Sequence, residues 1–112
     1  MEVIDVKRSI YSQKFDSTNP NWKDDMDMNR IYLKMYEMYF TDVLKKRGYV
    51  FLKDVYEALG FPITKTSINT GWFYDVRNVS IDNCVCFDLD YNEHSIDIDF
   101  NVDGDITKYF KD

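Results

Sequence analysis

The sequence predicts an α+β fold, with one long and one short helix packed on an antiparallel sheet of three or more strands. Three observations predict it. Apolar residues recur at helical spacing over 24–47, they alternate with period two over 84–102, and the helical part precedes the strand part. Helices first and strands later fit a layered α+β domain rather than a wound parallel sheet. At 112 residues the chain is sized for a single core.

Residues 1–22 carry no clean period. Ile4, Ile10, Tyr11 and Phe15 are irregularly spaced, and Ser17-Thr18-Asn19-Pro20 punctuates the segment, so it reads as a loosely attached N-terminal arm before a domain over 23–112. From Asp24 to Arg47, Met28, Ile31, Tyr32, Met35, Met38, Tyr39 and Val43 fall at three- and four-residue steps, the signature of a buried helix face. Asp24, Asp25 and Asp27 load the start of this helix and Lys45-Lys46-Arg47 its end, matching the two poles of the helix dipole, and Gly48 closes it. Tyr49-Val50-Phe51 is an extended link. Leu52 to Leu59 is a second helix with Leu52, Val55, Tyr56 and Leu59 inward, stopped by Gly60 and Pro62. Ile63 to Ser67 leads into the sheet region.

Trp72-Phe73-Tyr74 reads as a strand starting in the core, with Asn69, Gly71 and Asp75 to Asn78 as turn material. Val85, Phe87 and Leu89 alternate with Cys84, Cys86, Asp88 and Asp90, and Tyr91 to His94 reverses the chain. Ile96, Ile98, Phe100 and Val102 then alternate with Ser95, Asp97, Asp99 and Asn101. Asp103-Gly104 suits a tight turn into a last strand over Ile106 to Phe110.

Nineteen aromatic residues let a small core bury a large area with few side chains, and disorder of the body of the chain is not expected. Fourteen basic against twenty acidic residues give a net charge of −6, which opposes binding to a phosphate backbone, so no nucleic-acid partner is expected. No run reaches the roughly 20 apolar residues of a membrane-spanning helix, and no segment has the apolar stretch of a signal peptide, so a cytoplasmic setting is expected. In that setting Cys84 and Cys86 read as buried free thiols. One residue apart in a strand they share a face, and two thiols alone are half a metal site.

Catalytic chemistry needs matched groups, and they are scarce. His94 is the sole histidine, flanked by Glu93 and Ser95 in a turn, where it reads as solvated. Asp88, Asp90, Asp97 and Asp99 form a carboxylate ladder on one sheet face if their strands pair; paired carboxylates can act as acid and base, but outward positions on a half-exposed sheet are ordinarily just polar. Asp99, Asn101, Asp103, Gly104, Asp105 and Ile106 match the opening of a calcium-binding EF-hand loop, yet Phe110 stands where its bidentate carboxylate belongs. Lys65-Thr66 lacks the glycines of a phosphate loop. No catalytic, cofactor-binding or metal-ligating residues are therefore expected.

The run Tyr49-Val-Phe-Leu-Lys-Asp-Val-Tyr-Glu-Ala-Leu-Gly60, then Pro62, Thr64-Lys65, Gly71-Trp72-Phe73-Tyr74-Asp75 and the stretch Asp97 to Ile106 resemble a domain-of-unknown-function family. Its members are small proteins of Gram-positive bacteria, their phages and their conjugative elements. The resemblance covers roughly residues 29 to 106 and leaves the arm outside. It implies no catalytic residues and no cofactor; it implies an accessory role on a mobile element. The functional expectation is a non-enzymatic protein acting through a protein partner. The alternative is a small hydrolase or metal-dependent enzyme using the sheet-face aspartates.

Overall fold

The structure is a computed structural model and describes residues 9–75 and 84–110. The long helix, α1 (Met26–Arg47), starts where the Asp25 side chain accepts hydrogen bonds from the Asp27 and Met28 amides, two of the four amides a helix start leaves unpaired. It ends at Gly48, whose φ of 95° is the left-handed conformation that a side chain would resist; from there the Gly48 amide bonds back to the Leu44 carbonyl. The chain passes directly into strand β2 (Tyr49–Phe51) and helix α2 (Leu52–Leu59). On α2 the inward residues are Leu52, Val55, Tyr56 and Leu59, the four the sequence assigns.

Two antiparallel three-stranded sheets complete the α+β fold. β1 (Gln13–Asp16), β5 (Ser95–Phe100) and β4 (Phe87–Tyr91) form one in the order β1-β5-β4. β2, β3 (Thr70–Phe73) and β6 (Gly104–Asp105) form the other in the order β2-β3-β6. A continuous core joins them: Phe15, Ile96, Ile98 and Phe100 from the first sheet, Val50 and Trp72 from the second, and the inner faces of both helices.

Several expectations are corrected. The arm is not loose from Ser9 onward. β1 pairs with β5, placing Phe15 opposite Ile96 and out of solvent, while Tyr56 Oη donates to the Tyr11 carbonyl (2.5 Å) and Ser9 donates to Asp99 through both its amide and its hydroxyl. Residues 1–8 lie outside the described residues. Tyr49 to Phe51 is a paired strand rather than a link, because its amides meet β3 in register Tyr49↔Phe73 and Val50↔Trp72. Helix α3 (Lys65–Asn69) stands where a lead-in segment was expected; Thr64 and Ser67 cap it by exchanging side-chain and backbone hydrogen bonds. Gly71, read as turn material, lies within β3, and part of the turn expected over Asp75 to Asn78 falls outside the described residues. Past Asp105 the last strand gives way to a 3₁₀ turn over Thr107–Phe110, where the Asp105 carboxylate accepts from both the amide and the hydroxyl of Thr107.

The cysteines are not free thiols. Cys84 and Cys86 are half-buried and joined to each other, with Cα atoms 5.9 Å apart, inside the usual span for a disulfide. The strand geometry that would hold them parallel is absent because β4 begins only at Phe87. Asn101 shapes the bend that precedes it, accepting from the Cys86 amide at 2.8 Å and donating to the Cys84 carbonyl at 3.3 Å.

The largest correction concerns which face of α1 is buried. Asn29, Leu33, Phe40 and Leu44 face the core. Of the expected stripe, Tyr32 and Val43 are half-buried, while Met28, Ile31, Met35, Met38 and Tyr39 stand 51–64% exposed. At about 100° per residue these two sets centre on nearly opposite sides of the helix.

Candidate interaction surface

The exposed side of α1 is the candidate site, and the surrounding contacts explain how it is held outward. Fully buried Asn29 grips the loop before the helix, accepting from the Lys23 amide and donating to the Lys23 carbonyl, both at 2.8 Å. On the α2 side Tyr32 Oη donates to the Ala58 carbonyl at 3.2 Å. Desolvation there pushes the Tyr32 phenol up to about 12. On the β4 side Glu37 Oε2 accepts from the Phe87 amide at 2.6 Å, and the Thr41 hydroxyl both accepts from the Val85 amide and donates to its carbonyl. The helix is thus tied along its inner side and both flanks. Met28, Ile31, Met35 and Met38 remain as an outward line at spacings of three, four and three.

The two larger grooves beside this ridge flank it on either side. One, of about 750 Å³, lies between α1 and α2 and is walled by Tyr32, Met35, Tyr36, Tyr39 and Val43, with Arg47 and Asp54 3.7 Å apart at its edge. The other, of about 500 Å³, lies between α1 and β4, beside Ile31, Lys34, Phe87, Leu89 and Tyr91. A contiguous apolar strip of this kind marks an interaction site more often than ordinary surface.

A second aromatic surface differs from it. On β2 and β3 the rings of Tyr49, Phe51 and Phe73 are covered by the molecule's own last turn: Tyr109 stacks on Phe73 at 4.1 Å, and Phe110 meets Tyr49 edge-on at 4.9 Å. Arg47 sits over Tyr49 at 4.5 Å.

The groups weighed for chemistry are dispersed. Register does place Asp88 opposite Asp99 and Asp90 opposite Asp97, so the ladder exists. Asp97 is held by Lys14 (4.0 Å) and Asn92 (2.9 Å), and Asp99 by Ser9. The EF-hand-like residues hold separate parts of the fold. Asn101 Oδ1 accepts from Trp72 Nε1 at 2.7 Å, Asp103 Oδ2 accepts from the Phe73 amide at 2.9 Å, and Asp105 caps Thr107. Among the described residues no three His, Cys, Asp or Glu side chains come together as a metal site. His94 lies in the turn after β4, exposed, 3.3 Å from Glu93. Among the described residues no helix is long and apolar enough to cross a membrane.

Desolvation raises the Asp103 carboxyl above its usual range, against the opposing pull of the Phe73 amide. A carboxyl raised on folding contributes stability that is fully present below its unfolded pKa and is lost as pH rises through its folded value. Asp103→Asn keeps an acceptor for the Phe73 amide and removes the charge. Relative to the native chain, the variant should therefore gain stability as pH rises from 3 to 7. Denaturation midpoints across that range check this, and parallel profiles for the two proteins would contradict it.

No curated protein matches the chain, and no solved structure matches it. The sequence model of one family matches over residues 1–110, which takes in the segment before α1 as well as the helices and both sheets. The chain belongs to that family, DUF6353, a family of unknown function.

Proposed function

We propose that the chain is a non-enzymatic accessory protein of a mobile element, acting by protein–protein interaction through the outer face of α1. The observation that carries this is the apolar ridge Met28, Ile31, Met35 and Met38, exposed on a helix fixed from every other side. Methionine is suited to such a surface because its unbranched, polarisable side chain adapts to the shape of a partner. Helical partners are commonly read as anchors at three- and four-residue steps, the spacing present here. The mobile-element setting is what the sequence resemblance implies. The enzymatic alternative has the paired register of Asp88, Asp90, Asp97 and Asp99 in its favour, but Asp97 and Asp99 are already engaged by neighbouring side chains.

A photo-cross-linking amino acid at position 35 tests the reading, with the same group at exposed Glu57 on α2 as control. In cells producing the protein, position 35 should yield a discrete covalent adduct and position 57 should not. No adduct at position 35 above the control overturns the reading.

A further inference from the structure

The geometry points to a second copy of this chain as the occupant of the α1 face, the two helices packing antiparallel across a twofold axis. The inference rests on the binding reading above and names its partner. First, the ridge is self-complementary. Its spacings of three, four and three residues read the same in both directions, so a reversed copy places Met28 opposite Met38 and Ile31 opposite Met35, each contact occurring twice. That reciprocity is what a twofold interface requires.

Second, charge selects the orientation. Asp24, Asp25 and Asp27 gather at the start of α1 and Lys45, Lys46 and Arg47 at its end. An antiparallel copy brings each acidic start toward a basic end and opposes the two helix dipoles, whereas a parallel copy brings like charges together. With the ridge in the register above, the helix start at Asp25 faces position 41 of the other copy, about one turn before Lys45. Asp42, the acid nearest that point, is paired with Lys46 of its own helix at 2.9 Å. Nearby charges are paired within the chain, Arg30 with Asp27, Lys34 with Glu37 and Arg47 with Asp54, so Asp25 and Lys45 carry the preference for the antiparallel orientation.

Third, the flanking grooves give the ridge of the other copy somewhere to go. Met35 borders the groove toward α2 and Ile31 the groove toward β4, with Tyr39 and Tyr91 exposed on either side. Ridges of one helix entering grooves beside another is the usual way two helices pack. A specific complex needs about 1,000 Å² in total, and a single helix ridge with its two grooves is a small surface, so self-association is expected in the micromolar range rather than tighter.

Sedimentation velocity over a concentration series is the test. The intact 13.4 kDa chain should shift to twice that mass as concentration rises into the tens of micromolar. Met35→Lys should remain monomeric throughout, with an unchanged circular dichroism melt showing that the exposed site leaves the fold intact. Lys45→Asp should weaken the dimer several-fold. A chain that stays monomeric at several hundred micromolar overturns the inference, as does a dimer that survives Met35→Lys. A dimer unaffected by Lys45→Asp overturns the antiparallel arrangement. A monomeric chain that still gives an adduct with another protein at position 35 overturns self-association and leaves the binding reading standing.

Discussion

Phe15→Ala should destabilise the fold by about 3–5 kcal/mol, the range for deleting a large aromatic side chain from a packed core. Phe15 has no solvent exposure and sits among rings on three sides: Trp22 edge-on at 5.3 Å, Tyr32 stacked at 5.8 Å and Phe61 edge-on at 6.3 Å. These neighbours come from separate segments, so collapse around a missing ring would need several elements to move together. The cavity would also loosen β1 from β5, since Phe15 is the one fully buried residue of that strand. Ile10→Ala is the matched control, because Ile10 is 78% exposed and its loss should change stability by less than about 0.5 kcal/mol. Urea denaturation of both variants settles whether the N-terminal segment belongs to the core. A Phe15→Ala midpoint equal to that of the native chain would return it to the status of an attached arm.

Phe15 also shows why that segment was illegible as sequence. A four-residue strand with one buried position, Gln-Lys-Phe-Asp, has no alternation to detect, and its pairing partner lies some eighty residues away. β6 is shorter still, two residues, and exists only because β3 offers an edge to it. By contrast α2 was readable to the residue. Its four inward side chains are the only strongly apolar ones it has, so one face alone could be buried. β5 was readable for the same reason, each apolar residue being separated by a polar one.

The long helix failed that test in an informative way. Apolar residues occupy most of the circumference of α1, and spacing alone could not choose between the line through Met28, Ile31 and Met35 and the line through Leu33, Phe40 and Leu44. Asn29 argued against the true face as sequence, because a polar residue is ordinarily placed outward. Its two hydrogen bonds to Lys23 are what make its burial affordable, and they depend on a loop whose path no period reveals. The candidate site was therefore hidden in plain view: its residues were identified and assigned to the core. The signal that could have found it is the surplus itself, since a helix with more apolar residues than one face can hold has something left over to bind. The acidic stretch after Asp97 misled in the opposite direction. Its EF-hand-like spacing arises from a strand end whose side chains brace Trp72, Phe73 and Thr107.

Gly71→Ala should destabilise the chain by about 3 kcal/mol or more, at or beyond the upper end for overpacking a core. Gly71 lies on β3, the central strand of its sheet, opposite Phe51 of β2 on one side and Gly104 of β6 on the other. A methyl group there would sit 2.0 Å from the Val50 carbonyl oxygen, 2.9 Å from the Phe51 Cα and 3.0 Å from the Val50 carbonyl carbon. All three are backbone atoms, so no side-chain rotation relieves the clash and β2 itself must move away. That motion would strain the pairing of Val50 with Trp72 and of Phe51 with position 71, and with it the packing of two fully buried side chains, Val50 and Trp72. It would also pull on the end of α1, because β2 follows Gly48 directly and the Tyr74 amide bonds to the Gly48 carbonyl at 2.9 Å. Loss of folded, soluble protein or a denaturation midpoint far below that of the native chain is the expected result. A midpoint within error of the native one would mean that β2 and β3 can separate at this point without loss, and that the close backbone approach does not govern why glycine stands between Thr70 and Trp72.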